Sequence, residues 1–187
     1  MKAILKPPFT PEENTLITIG GSKSESNRLL ILQARYPNIT IENLSDSDDS
    51  KVLIDGLKVS GGTVDVGHAG TAMRFLTAYF ASLEEAEVVL TGSPRMQERP
   101  IGILVDTLRQ LGAEIEYLKT AGYPPLKIKG KSLNKNKVKI DASVSSQFIS
   151  ALMLIAPKLP HGIQIELDGE VASQPYIEMT LGLLQKA

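Results

Sequence analysis

The chain has 187 residues, of which 42% are hydrophobic and 22% charged, and it contains no cysteine. This composition fits one globular domain and excludes disordered and fibrous classes, and the lack of cysteine excludes disulfides, thiol catalysis and cysteine-bound zinc. Twenty basic and 21 acidic residues leave a formal charge of −1, so no global field attracts nucleic acid and any anion site must be local.

The segment over residues 20–28, GGSKSESNR, places glycine, hydroxyl groups and the cation Lys23 at the start of a predicted helix. Ser22 or Ser24 can cap the backbone N–H groups of the first turn, and the positive helix end adds to the charge of Lys23. The segment favours a phosphate or carboxylate ligand, although a capped helix without a ligand fits the same residues. It is not a nucleotide-binding P-loop, because the GxxxxGK[ST] spacing is absent, so an ATPase is disfavoured.

Hydrophobic periodicity and the positions of glycine and proline predict the later elements. In chain order they are a helix from Leu29, a strand over 39–44, a helix over 45–62 closed by Gly61 and Gly62, a helix over 67–82, a strand over 87–92, a helix over 99–113 with Pro100 near its start and Gly112 at its end, strands over 113–118 and 125–130, a helix over 143–159, a strand over 163–169 and a helix over 174–187 with Pro175 near N1. This order predicts an α/β fold in which six helices pack with small mixed sheets.

Two segments, LIDGLKVSGG at 53–62 and LVDTLRQLGA at 104–113, align without a gap and indicate an internal repeat. Helix, strand and helix follow one another three times, which predicts three repeated units. When Leu184 is aligned with Leu108, the sequence stops one residue before the glycine that closes the earlier helix. We therefore expect a truncated piece of a longer chain, the alternative being a native end on an exposed helix.

Each predicted unit opens its first helix with small and hydroxyl residues that could meet at one anion site. These residues are Ser22, Ser24 and Ser26, then Gly70 and Thr71, then Ser143, Ser145 and Ser146. Each set also fits an ordinary N-cap. A cap needs no cation behind it, so Lys23, Arg28 and Arg74 favour a ligand.

Arg95 and Arg99 lie just before a predicted helix, where a guanidinium can clamp an anion with two hydrogen bonds. The alternative is a surface ion pair with Glu98. His68 lies two residues before Gly70, so it could contact a substrate or form a hydrogen bond with the local backbone. These residues extend the candidate anion site into the second unit.

The acidic residues and the histidines predict neither a metal nor a general base. Asp46, Asp48 and Asp49 lack the glycine and the distal glutamate of a calcium loop, and they fit a helix cap better. His68 and His161 are too far apart in sequence to predict zinc. No hydrolase or dinucleotide-binding motif is present. We expect a chain that holds anions and needs no metal and no other cofactor.

The sequence also bounds compartment and partners. The first apolar run ends at Pro7 and Pro8, which is too short for a signal peptide, and no apolar run approaches the roughly 18 residues of a membrane span. We expect a cytoplasmic protein that binds neither a membrane nor nucleic acid.

Five motifs extend the argument from chemistry to a family. They are GGSKSESNRLLILQA at 20–34, VGHAGTAMRFLTA at 66–78, LTGSPRMQERPIGILVDTLRQLGA at 90–113, SVSSQFISALMLIAP at 143–157 and ASQPYIEMTL at 172–181. Together, and in this order, they resemble the 5-enolpyruvylshikimate-3-phosphate synthase family of 3-phosphoshikimate 1-carboxyvinyltransferases. The resemblance covers the chain from Gly20 to Leu181.

The resemblance implies a fold of two similar, inside-out barrel-like domains, each with three βαβαββ repeats and with the active site in the cleft between the domains. Residues 1–19 would then be a strand of the other, mostly absent domain. Residues 20–187 would be a nearly complete substrate-binding domain, truncated in its third unit. The missing C-terminal half would be a further partner of this chain.

The resemblance also implies an activity, transfer of the enolpyruvyl group of phosphoenolpyruvate to the 5-hydroxyl of shikimate 3-phosphate with release of phosphate. This is a step of aromatic amino acid biosynthesis. The implied shikimate 3-phosphate contacts are Lys23, Ser24, Arg28, Ser145, Ser146, Ser173 and Tyr176. The implied phosphoenolpyruvate contacts are Lys23, Gly70, Arg99 and Gln147, with Thr71 and Arg74 shaping the pocket. Lys23 is the implied catalytic residue, because it touches both substrates.

The chain departs from the family pattern at two positions, where His68 replaces a frequent asparagine and Phe75 a frequent proline or leucine. The aspartate and glutamate that handle protons belong to the missing half, so we expect this chain alone to be inactive. Two alternatives stay open. One is a UDP-N-acetylglucosamine enolpyruvyl transferase, which uses a cysteine loop that this chain lacks. The other is a non-catalytic anion-binding domain.

Overall fold

The computed structural model describes residues 19–187 of the chain. In chain order the elements are α1 (Lys23–Arg35), α2 (Asp48–Leu57), β1 (Gly61–Asp65), α3 (Gly70–Ala81), β2 (Glu87–Thr91), α4 (Pro94–Gln97), α5 (Gly102–Leu111), β3 (Glu114–Tyr117), β4 (Leu126–Lys129), β5 (Lys137–Asp141), α6 (Ser146–Ile155), β6 (Gln164–Asp168) and α7 (Gln174–Lys186). This is the α/β fold with mixed sheets that the sequence predicted. The expected strand at residues 1–19 falls outside the described residues except for Ile19.

Two small sheets carry the six strands. The first has the order β1-β2-β4-β3, in which β1 runs parallel to β2 while β4 is antiparallel to both β2 and β3. The second pairs β5 with β6 in parallel. A parallel pair needs a crossover, and here α3 connects β1 to β2 and α6 connects β5 to β6. The crossover brings the first turns of both helices to the same side of the molecule.

The order of elements in the middle of the chain recurs near its C-terminal side. Strand, helix, parallel strand and helix follow one another as β1, α3, β2 and α5, and again as β5, α6, β6 and α7. The first set continues into the β3–β4 hairpin. The first predicted unit contributes α1 and α2 to the described residues, so a threefold repeat stays a prediction.

Helix α3 is the centre of the core, and every one of its residues is buried. It packs against α2, α6 and β2. Its sequence, GTAMRFLTAYFA, is apolar around most of the helix apart from Arg74 and two threonines, which is the pattern of a helix enclosed by other elements. Packing on all sides fixes the position of the α3 N-terminus, where Gly70 and Thr71 lie.

Several helix ends lie where the sequence placed them. Ser22 caps α1, where its side chain accepts a hydrogen bond from the backbone N–H of Glu25. Gly112 ends α5 in the left-handed conformation, at φ 104°, which a residue without Cβ adopts at little cost. Pro175 lies in the first turn of α7, where its missing N–H costs no helical hydrogen bond.

The predicted strand over residues 39–44 is wrong, because these residues form no strand. Ile39, Ile41 and Leu44 pack against the core, which explains their alternating pattern. Asn43 has a φ of 52°, which interrupts an extended backbone. The pattern of apolar and polar residues therefore indicated that one face of the segment is buried. A strand also needs a neighbouring strand, which this segment lacks among the described residues.

The predicted end of α2 at Gly61 and Gly62 is also wrong. Helix α2 ends at Leu57, and the two glycines begin β1 instead. Val64 is the one buried residue of β1, so this strand carries no alternation that would reveal it. Strand β5 and the four-residue α4 were not predicted either, although β5 alternates with Val138 and Ile140 buried.

No helix among residues 19–187 combines the length and the hydrophobicity that crossing a membrane requires.

Candidate functional site

The first turns of α1, α3, α6 and α7 surround a cleft of about 330 Å³. Its lining residues are Lys23, Ser24, Arg28, Thr71, Val144, Ser145, Ser146, Gln147, Ala172, Ser173 and Tyr176. The lining thus holds two cations, six hydroxyl groups and no carboxylate. Helix starts that are far apart in sequence converge as the sequence analysis predicted, and they form a site suited to an anion.

Three serines from the predicted set do not line this cleft: Ser22 caps α1, and the other two are Ser26 and Ser143. The Ser26 hydroxyl accepts a hydrogen bond from the backbone N–H of Ser45 at 2.9 Å, and Ser26 is buried. Ser143 donates its hydroxyl proton to Asp141 at 2.6 Å. Ser26 and Ser143 therefore support loops rather than the cleft.

The segment before α1 is held in place by a second loop. A Cβ on Gly21 would collide with the backbone carbonyl of Asn43 and would lie 3.0 Å from the backbone nitrogen of Ser45. Only glycine permits this approach. The close contact fixes the path of the chain into α1, so the positions of Lys23 and Ser24 at the cleft are set by the backbone.

Lys23 lies at the mouth of the cleft, and about half of its side chain is exposed. Its Nζ lies 3.6 Å from Oδ2 of Asp49, in the first turn of α2. An exposed pair at this distance contributes little to stability, so an anionic ligand can compete for the lysine.

Arg28 is buried beneath the cleft and donates hydrogen bonds to four oxygen atoms. Its Nε bonds Thr180 Oγ1 at 2.6 Å, Nη1 bonds the Ser24 carbonyl at 2.9 Å, and Nη2 bonds Ser150 Oγ at 3.0 Å. A longer bond of 3.4 Å joins Nη2 to the Tyr176 carbonyl. All four acceptors are neutral, and none of the ion pairs among residues 19–187 involves Arg28.

Two aromatic rings complete the surroundings of the Arg28 guanidinium. Its Cζ lies 5.5 Å from the ring centre of Phe75 and 5.7 Å from that of Tyr176. The departure at Phe75 therefore places an aromatic face beside this cation, a contact that favours positive charge. Burial lowers the pKa of Arg28, and the neighbouring Tyr176 opposes that shift.

The start of α6 provides a second group of donors. Ser145 is the N-cap, and its hydroxyl accepts a hydrogen bond from the backbone N–H of Gln147 at 3.3 Å. Ser146 is buried in the first turn, and Gln147 is partly buried; all three line the cleft. The positive end of a ten-residue helix thus faces the same space as Lys23 and Arg28.

The start of α7 carries a strained residue. Ser173 has φ 56° and ψ 47°, a left-handed conformation that is unfavourable for a residue with a Cβ, and its side chain forms no cap. Ser173 and Tyr176 both line the cleft. Strain of this kind is often found where a side chain is presented to a ligand.

A second cavity, of about 540 Å³, lies beyond the start of α3. His68, Arg95, Met96 and Arg99 line it. Gly70 is packed against Arg99, since a Cβ at this position would lie 3.0 Å from Cζ of the guanidinium. The structure thus brings Gly70 and Arg99 together as the resemblance implied, while Gln147 lies in the first cleft.

The groups around the second cavity are basic or neutral. His68 Nδ1 forms a 2.9 Å hydrogen bond with the Ser93 side-chain hydroxyl. Arg74 is buried and donates to the Pro100 carbonyl at 2.9 Å. Burial, together with the nearby charge of Arg99, lowers the pKa of Arg74 to about 10. Within residues 19–187, Glu98 forms no ion pair, so the alternative of a surface pair with an arginine is not found.

Sequence analysis missed Ser150 and Thr180, the two hydroxyls that hold Arg28. They lie 122 and 152 residues from Arg28 in the chain. Each lies on a helix, α6 or α7, whose apolar pattern gave no reason to single out one hydroxyl. Folding alone brings them to the Arg28 side chain.

Comparisons with known proteins identify the family to which the chain is similar. A family model described as EPSP synthase (3-phosphoshikimate 1-carboxyvinyltransferase) matches residues 60–187. The chain is 48% identical over 170 residues to a 3-phosphoshikimate 1-carboxyvinyltransferase of Bacteroides fragilis (strain YCH46), which covers 90% of this chain and 41% of that protein. It is 43% identical over 214 residues to one of Haemophilus influenzae (strain PittEE), which covers 99% of this chain and 49% of that protein.

A solved structure supports the fold. The EPSP synthase from Acinetobacter baumannii superposes with a TM-score of 0.74 at 19% identity, over 90% of this chain and 43% of the other. The chain thus spans about half the length of the curated relatives that it matches.

Proposed function

Because the chain belongs to the EPSP synthase family, we propose that it supplies the shikimate 3-phosphate side of an enolpyruvyl transfer site. The observation that carries this proposal is the composition of the cleft, with two cations, six hydroxyls and no carboxylate around about 330 Å³. Both proposed substrates are anions that combine carboxylate or phosphate with hydroxyl or enol groups. The relatives' name, 3-phosphoshikimate 1-carboxyvinyltransferase, describes such a substrate.

In this proposal the two ends of shikimate 3-phosphate bind to different helix starts. Ser24 and Arg28 hold the carboxylate, since Arg28 is the buried cation of the cleft. Ser145, Ser146 and Ser173 hold the 3-phosphate, which also meets the positive end of α6. Tyr176 packs beside the ring of the ligand, because its own ring stands next to Arg28 in the same wall.

Phosphoenolpyruvate binds between the first cleft and the second cavity. Arg99 binds one of its anionic groups, and Gly70 leaves the room that the guanidinium occupies. Gln147 reaches the same ligand from α6, and Lys23 contacts both substrates. The 5-hydroxyl oxygen first bonds to the enolpyruvyl carbon, and its proton passes to a group outside the described residues. Lys23 can then neutralise the charge that develops on the phosphate as it leaves that carbon.

The described residues provide binding and orientation, and proton transfer needs further groups. No carboxylate lines the cleft among residues 19–187. We propose that residues 20–187 form one nearly complete domain, and that the acidic groups come from the part of the protein that the relatives have in addition. The expected compartment is the cytoplasm, which suits a chain without cysteine.

A second candidate, a non-catalytic anion-binding domain, is favoured by the same lack of a carboxylate in the described cleft. The two candidates agree on the ligand and differ in turnover by the whole protein. Phosphate release by the protein expressed from its own gene therefore decides between them.

The binding proposal is tested on the 187-residue chain by calorimetric titration. We expect weak but saturable binding of shikimate 3-phosphate, weaker binding of shikimate, and no measurable binding of UDP-N-acetylglucosamine. Weak binding is expected because a half-site leaves the ligand partly hydrated. We also expect no phosphate release when phosphoenolpyruvate is added. Equal affinity for shikimate and shikimate 3-phosphate would contradict the proposed phosphate site. Turnover by the 187-residue chain would contradict the proposal that the acidic groups come from the rest of the protein.

A further inference from the structure

Two buried hydroxyls behind the cleft hold the Arg28 guanidinium from its inner side. Thr180 Oγ1 accepts the hydrogen bond from Nε, and Ser150 Oγ accepts one from Nη2. Both hydroxyl residues are fully buried, and neither lines the cleft. Any effect that they have on a ligand must therefore pass through Arg28.

The chemistry of the groups determines the direction of every hydrogen bond in this cluster. A guanidinium only donates, so both hydroxyls must turn a lone pair toward Arg28. Thr180 gives its proton to the Tyr176 carbonyl at 2.7 Å, which leaves its oxygen free to accept. Ser150 then gives its proton to Thr180 Oγ1 at 2.9 Å. The result is a closed chain of donors in which two hydroxyl dipoles present their negative ends to the guanidinium.

We propose that Thr180 and Ser150 are positioning residues, which hold Arg28 through neutral acceptors so that its full charge stays available to a carboxylate bound in the cleft. The identity of that ligand, shikimate 3-phosphate, rests on the proposed function. The two hydroxyls replace the hydrogen bonds to water that Arg28 loses on burial. Because they are uncharged, they leave the positive charge of Arg28 unneutralised.

Other cations of the chain pair with a carboxylate, an arrangement that Arg28 does not have. Arg109 has Asp106 at 3.5 Å, and Lys23 has Asp49 at 3.6 Å. A carboxylate in the place of either hydroxyl would satisfy Arg28 equally well as an acceptor. It would also cancel the charge, and a cancelled charge attracts a ligand carboxylate far less, above all in a buried setting where Coulomb interactions are strong.

The most direct test introduces a carboxylate beside Arg28 by substitution of Ser150. Ser150→Asp adds an acceptor with a charge, and Ser150→Asn adds one of nearly the same size without a charge. We expect the dissociation constant of shikimate 3-phosphate to rise at least about tenfold more in the aspartate variant than in the asparagine variant. The thermal unfolding temperature should be no lower in the aspartate variant, since its carboxylate pairs with Arg28. A purely structural role of Ser150 would instead make affinity follow stability.

A second pair of variants removes and restores the hydroxyl at the other position. Thr180→Val keeps the shape of the side chain and deletes the acceptor, and Thr180→Ser keeps the acceptor. We expect Thr180→Val to weaken shikimate 3-phosphate binding about fivefold or more, and Thr180→Ser to bind within about twofold of the unsubstituted chain. Hydrogen exchange of the Arg28 Nε–H, followed by NMR, should accelerate at least about tenfold in Thr180→Val alone, because its acceptor is lost.

The outcomes separate the two proposals. If the unsubstituted chain binds no shikimate 3-phosphate, the proposed function fails, and the Nε–H exchange rates still decide whether Thr180 holds Arg28. If Ser150→Asp and Ser150→Asn bind equally, or if Thr180→Val changes neither affinity nor exchange, the positioning role is overturned. Should Ser150→Asp not fold, the Thr180 pair decides by itself, and equal affinity of its two variants overturns the inference.

Discussion

The cleft at Arg28 and the cavity at Arg99 both offer positive charge, but they are built in opposite ways. Arg28 is buried, bonded to four neutral oxygens and flanked by two aromatic rings. Arg99 and Arg95 are exposed, and their cavity has the larger volume. The first region is organised before a ligand arrives, whereas the arginines of the second keep the freedom of surface side chains.

For the proposed activity, this difference predicts which part of the protein gives each proposed substrate its specificity. A preorganised site pays little ordering entropy when its ligand binds, so shikimate 3-phosphate should be recognised by the described residues. An exposed arginine loses rotamer freedom on binding, so phosphoenolpyruvate should depend more on groups outside them. Substitutions in the two regions should therefore separate the affinities of the two substrates.

The largest effect is expected at Lys23, the residue that we propose to contact both substrates. Lys23→Met deletes the charge and keeps most of the apolar stem, so the fold should persist while phosphate release falls at least about a hundredfold. The measurement is made on the protein expressed from its own gene, with thermal unfolding in parallel. Lys51→Met is the matched control, because Lys51 also lies in a helix start beside an aspartate, Asp48, but away from the cleft. Activity of the Lys23 variant within about threefold of the control would show that the shared site is misplaced.

The next effect concerns the preorganised region. Arg28→Ala should raise the dissociation constant of shikimate 3-phosphate at least about tenfold, since a charge-assisted contact is lost. Arg109→Ala is the control, because Arg109 stacks on Tyr117 and donates a hydrogen bond to the Ile115 carbonyl away from the cleft. Both changes delete contacts within the protein. If calorimetry finds the same loss of shikimate 3-phosphate affinity in both variants, Arg28 has no specific role in binding this ligand.

A smaller effect is expected from crowding the exposed region. Gly70→Ala would bring a Cβ to 3.0 Å from Cζ of Arg99, and this flexible side chain can move away. The fold should be kept, while phosphoenolpyruvate affinity falls about fivefold and shikimate 3-phosphate affinity stays unchanged, a separation of about 1 kcal/mol. Gly182→Ala in α7 is the control, since its Cβ would meet open space. Equal loss of both substrates in a competition assay would contradict the division into two regions.

The smallest effect is expected at His68. His68→Asn restores the residue frequent in the resembled family, and an asparagine can also hydrogen-bond the Ser93 hydroxyl. Because His68 is exposed, both substrate affinities should change less than about threefold, as for most surface substitutions. Steady-state KM values for the two substrates test this. A larger change confined to phosphoenolpyruvate would make His68 part of the ligand site.

The two regions also differ in how well the sequence predicted them. The caps Ser22 and Ser145 could be predicted because capping depends on residues within one turn. That the helix starts share one cleft follows from the repeated order of elements. The partners of Arg28 could not be predicted, since Ser150 and Thr180 come from distant helices and only packing selects them from many similar hydroxyls.

The errors in the fold have the same physical origin. The apolar pattern at residues 39–44 correctly indicated a half-buried segment. A strand, however, depends on a neighbouring strand, which the local sequence does not encode. Strand β1 was missed for the opposite reason, because it pairs with β2 while carrying a single buried side chain, Val64. Helices were predicted better than strands, since their hydrogen bonds close within the segment.

The left-handed backbone of Ser173 has a consequence for how this protein can change. A non-glycine residue at φ 56° costs about 1 kcal/mol, which Ser173→Gly would remove together with a hydroxyl of the cleft. A variant library selected for thermal stability should therefore enrich glycine at this position, whereas a library selected for growth that depends on the proposed activity should retain serine. At position 173, selection for stability should thus favour glycine, whereas selection for activity should favour serine.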